Sequence, residues 1–108
     1  MSLTYTYHDA YLARFVDEPL EARALADVAV LAGDRTFSAD WLERVAVVQA
    51  YIIAARENQA DPDDLFTAKL KTYRAELSVL LPQALADADA TAGEHGGLGL
   101  FSIPLERA

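Results

Sequence analysis

The chain holds few groups able to do chemistry, and its two histidines come first. His8 followed by Asp9 has the make-up of half a catalytic pair, an imidazole base with a carboxylate beside it. A polar first turn of a helix accounts for the same two residues and is the favoured reading. His95 follows Glu94 in a glycine-rich stretch, and without three further ligand-type residues nearby it makes no metal site. Asp61, Asp63 and Asp64 suggest a cation. A calcium loop would need more oxygen ligands and a glycine at set spacing, and Leu65 and Phe66 follow instead. Capping of a helix explains these acids. Lys69, Lys71 and Arg74 form a small basic patch that meets nucleic acid, meets a partner's acids, or pairs with acids at i, i+4 spacing. There is no glycine-rich phosphate loop, no nucleophile elbow and no cysteine. The sequence therefore predicts neither an enzyme nor a cofactor.

Composition narrows the class further. At 108 residues the chain is the size of one domain, and with 53% hydrophobic residues it can bury a core. Nine Lys and Arg against seventeen Asp and Glu give a net charge of -8. That balance excludes a surface built to grip phosphates, while it suits a channel through which nucleic acid slides. No apolar run approaches the roughly 18 residues that span a bilayer. The first residues, Met1 to Tyr5, lack the basic and apolar regions of a signal peptide.

Periodicity then sets the elements. Leu3, Tyr5 and Tyr7 alternate with Thr4 and Thr6, the mark of a short extended piece. Tyr7, Tyr11 and Phe15 recur at helical spacing, which predicts a short helix over 8–16 with Thr6 as its cap. Pro19 starts a second helix, 19–32, whose apolar face is Leu20, Ala24, Val28 and Leu31, with Glu21 and Arg23 off that face. Gly33 ends it. Ser38 caps a third helix, 41–58, and Asp40 lies in its first turn. Trp41, Val45, Val48, Ile52 and Ala55 form one face of that helix, and Val47, Tyr51 and Ala54 a second. A helix apolar on more than one side needs several neighbours, so the face of Val47, Tyr51 and Ala54 is the expected subunit contact.

Asp61-Pro62 starts the last helix, which the pattern extends to Ala90. Phe66, Leu70, Tyr73, Leu77, Leu80 and Ala84 keep one apolar stripe along it. Pro82 predicts a kink or a short break between Ser78 and Pro82. Gly93, Gly96, Gly97 and Gly99 then lead into Leu98, Leu100, Phe101, Ile103 and Leu105. A glycine hinge before apolar residues describes an arm that docks on a partner. The expected fold is thus all-α, a small bundle dominated by two long antiparallel helices over 1–92. An extended C-terminal arm occupies 93–108.

One stretch adds a resemblance. Gln49-Ala50-Tyr51-Ile52-Ile53, Glu57-Asn58-Gln59, Asp63-Asp64-Leu65-Phe66, Lys69-Leu70 and Tyr73-Arg74-Ala75-Glu76 together resemble the head–tail connector (adaptor) proteins of tailed bacteriophages. The likeness covers about half the chain, roughly residues 41–90, and Phe66 to Arg74 is its most specific part. It implies a helical subunit of a homo-oligomeric ring, commonly a dodecamer, at the head–tail junction of the virion. Such a ring sits under the portal protein, extends the DNA channel without sequence-specific binding, and docks the tail or neck. Its subunits' termini often reach into the portal. The alternative is a small acidic helical regulator that binds a protein partner, as an antitoxin or DNA mimic does.

Overall fold

Positions 45 to 55 are buried without interruption, eleven in a row, and no single helix face can account for that. They lie on α3 (Ala39–Asn58), the helix on which all the others lean. The computed structural model describes residues 3–58 and 64–96, with side chains as far as residue 90. Its other helices are α1 (Ala10–Ala13), α2 (Glu18–Ala32) and α4 (Leu65–Gly96). The described residues are all-α and contain no strand.

Each helix starts where a side chain can satisfy its free N–H groups. Asp9 caps α1 by accepting from the Tyr11 and Leu12 amides, and Asp17 caps α2 by accepting from the Leu20 amide at 2.9 Å. The predicted first helix shrinks to a single turn, and its cap is Asp9 instead of Thr6. Ser38 stands before α3 as expected, with the Trp41 amide 3.4 Å from its hydroxyl. At α4 the Asp64 carboxylate takes the Thr67 amide at 2.9 Å; Asp61, Pro62 and Asp63 lie outside the described residues. Gly33 closes α2 at a φ of 65°, a region that side chains rarely adopt.

Small residues bring the layers close. Ala46, Ala50, Ala54 and Ala55 of α3 are fully buried. One core cluster joins Leu12, Leu20, Ala24 and the C-terminal part of α3 to Leu70. A second joins Val28, Phe37, Val45 and Ala46 to Ala84 and Ala88. Pro82 lies inside α4, which passes through it without the predicted break. The helix also runs beyond the expected boundary at 92, through Gly93 to Gly96.

Two expectations are corrected here. Val47, Tyr51 and Ala54 are 6%, 0% and 0% exposed within the single chain, so Tyr51 and Ala54 offer no free surface to a neighbouring subunit and Val47 very little. The need for several neighbours was read correctly from the sequence. The neighbours are the chain's own: α2, α4 and the segment leading to α1. Glu21, placed off the apolar face of α2, is buried instead, whereas Leu31 is exposed.

The packing makes Leu70, at 8% exposed, a stringent position. Leu70→Asp places an unpaired carboxylate in the first cluster, and the variant should lose its helical circular dichroism at room temperature. A soluble, fully helical variant would mean that this core is misassigned.

Candidate functional site

Residues 3 to 9 run without regular structure, yet they are not loose. Leu3, Tyr5 and Tyr7 are half-buried and Asp9 is buried, while Thr4, Thr6 and His8 are exposed. This is the alternation seen in the sequence, here in a strap that lies across α3 instead of pairing in a sheet. An extended strap carries free backbone N–H groups, which must find acceptors when buried. Two carboxylates supply several of the bonds that hold it.

Glu21 is the first. Its Oε1 accepts from the Thr4 amide at 2.9 Å, and its Oε2 from the Tyr5 amide at 3.2 Å and the Tyr7 hydroxyl at 2.7 Å. Burial by itself would raise this carboxyl. The Thr4, Tyr7 and Tyr5 donors outweigh burial and hold it below the usual glutamate range. Tyr7 moves the other way, pushed well up by burial and by the carboxylate it bonds.

Asp9 is the second and the more connected. Its Oδ2 accepts from Lys69 Nζ at 2.8 Å and from the Tyr73 hydroxyl at 2.5 Å, and its Oδ1 caps α1. Its amide donates to the Tyr51 hydroxyl at 2.8 Å, and its carbonyl accepts from the Ala13 amide. Burial pushes the carboxyl up, and the Lys69, Tyr73 and Leu12 donors more than reverse this. Tyr73 and Tyr51 are both raised, burial being the larger cause and the Asp9 charge adding to it. The Tyr51 and Tyr73 rings pack with centroids 4.7 Å apart. His8 meets Tyr51 edge-on at 5.7 Å, and Phe66 packs on Tyr11 and Phe15.

Asp9 therefore spends its lone pairs on structure, and the His8 ring contacts the Tyr51 ring. Lys69 leaves the basic patch for a partner 60 residues away. Lys71 and Arg74 remain exposed. Sequence reasoning missed Glu21. The only signal was the pair Tyr5 and Tyr7 alternating nearby, which called for a buried acceptor without saying which. Among the described residues no group of His, Asp and Glu is arranged to hold a metal ion, and no helix is long and apolar enough to cross a membrane. His95, Leu98, Leu100, Phe101, Ile103 and Leu105 lie outside the residues whose side chains are described.

The fold and this cluster define a small all-α protein whose N-terminal strap is clamped by two buried carboxylates. No family model, curated protein or solved structure matches the chain.

Both carboxyls lie below their ordinary range when folded. Their contribution is present above the unfolded pKa, near 4, and is lost as pH falls through that region toward the folded value. The melting temperature should drop steeply from about pH 5 to about pH 2.5, and Glu21→Gln should flatten the drop; parallel slopes would remove Glu21 from the account. Lys69→Met leaves the Asp9 charge short of its cation and should cost about 3 kcal/mol in urea unfolding. The exposed pair Arg23–Glu57 is the control, and Arg23→Met should change little.

Proposed function

We propose that this chain is a structural subunit of a head–tail connector ring, made in the host cytoplasm and carried in the virion beneath the portal protein. Its two long helices, α3 and α4, form the antiparallel frame, and the segment after α4 is the arm that reaches a partner. The observation carrying this reading is where the residues of the resemblance go. Tyr51, Phe66, Lys69 and Tyr73 meet around Asp9 and the strap. A pattern in which Tyr51, Lys69 and Tyr73 hold one segment onto a helix pair suits a building block.

Charge supports the same reading. With a net charge of -8, a ring of such subunits repels the phosphates in its channel, so DNA passes without adhering. The contact between subunits lies elsewhere than Tyr51 and Ala54. Exposed apolar side chains on the described surface include Val30, Leu65 and Val79.

Imaging the purified protein mixed with the portal protein of the same phage genome tests the reading. The expected result is a ring stacked coaxially on the portal; failure to associate with the portal overturns it. Deleting residues 96–108 tests the arm. The truncated chain should keep its melting temperature and lose its hold on the portal. If it melts several degrees lower yet still binds the portal normally, the segment is a lid on its own helices.

A further inference from the structure

A half-open cavity of about 240 Å3 lies where the strap, α3 and α4 meet. Val47, Val48 and Leu80 give it apolar surface, and Thr6, His8, Glu43, Arg44 and Glu76 complete its lining. The Arg44 guanidinium is drawn to the Trp41 ring, 4.9 Å from its centroid, and it forms no ion pair with either glutamate. Glu43 and Glu76 are exposed and, among the described residues, have no hydrogen-bonding or ion-pair partner. Two carboxylates beside aliphatic surface fit one kind of side chain, a long cation whose methylenes cover the valines while its head reaches the acids.

The chain itself carries such side chains. Lys71 and Arg74 are exposed on α4 and, among the described residues, make no ion pair. Arg74 and Glu76 are two residues apart, which sets them about 160° apart around the helix. Basic and acidic groups thus occupy opposite flanks of α4, so one chain cannot bring them together. Two copies placed side by side can. A contact between different patches is heterologous, and repetition of it closes into a ring when the rotation allows.

We propose that this cavity receives Lys71 or Arg74 of a second copy of the chain and that this is the repeating subunit contact. The inference rests on the ring reading above and supplies a contact in which Tyr51 and Ala54 take no part. Charge reversal tests it by sedimentation of the protein alone. The Glu43→Lys/Glu76→Lys pair and the Lys71→Glu/Arg74→Glu pair should each be monomeric and fully helical where the wild type assembles. Mixed in equal amounts, the two should assemble again, because each pocket then meets a donor of opposite charge. If reversal costs helicity, Glu43→Gln/Glu76→Gln replaces it and should weaken association by about tenfold or more.

Wild-type assembly that ignores these changes overturns the contact and leaves the ring reading intact, as does a mixture of helical variants that stays monomeric. A wild type monomeric at every concentration also overturns the contact. The ring reading then depends on the portal experiment alone.

Discussion

A carboxylate removed from water must be surrounded by donors, and Asp9 draws its donors from both α1 and α4. Its side chain is 6% exposed and binds Lys69 and Tyr73 of α4 together with two amides of α1. Its own amide is tied to Tyr51 of α3. Breaking such a group's pairing costs far more than an exposed ion pair contributes. The arrangement allows one position of the strap relative to α3 and α4, since any slip leaves a charge without partners. Apolar packing alone is less exacting, because leucines and alanines accept many near-equivalent arrangements.

The strap in turn explains how a 108-residue chain keeps a helix as apolar as α3 covered. Two helices flank α3, and the remaining surface around Tyr51 is closed by residues 3–9. That closure uses extended chain, which is thin but leaves amides to be satisfied. Glu21 meets two of them directly. Polar clamp and apolar cover are therefore one device, and neither works without the other.

Much of this was legible in the sequence, and what was not has a physical cause. The start of α2 about Pro19, the start of α3 at Ser38, the stop at Gly33, the stripe through Leu70 and the alternation of Leu3, Tyr5 and Tyr7 are local patterns, set by neighbours a few residues away. The single-turn length of α1 and the burial of Glu21 are not local. They depend on partners such as Tyr51 and on the strap, which no spacing rule reaches. The faces of α3 were also recognised, but coverage is a tertiary property, and the sequence could not say that the cover comes from within the chain. The Asp9 cluster was half legible. Tyr51, Lys69 and Tyr73 stood out as a pattern, while the acid that gathers them looked like an ordinary helix start.

The separations within that cluster bear on how the chain is made. Asp9 meets Tyr51 across 42 residues, Lys69 across 60 and Tyr73 across 64. The packing of α2 on α3 and of α3 on α4 joins neighbours in the chain, and such contacts form early and quickly. The strap leaves the ribosome before α3 and α4, which carry the partners of Asp9. Glu21 and Tyr51 can hold the strap before α4 emerges, whereas the Asp9 carboxylate waits for Lys69 and Tyr73. The Asp9 carboxylate thus gains its cation only once α4 has been made.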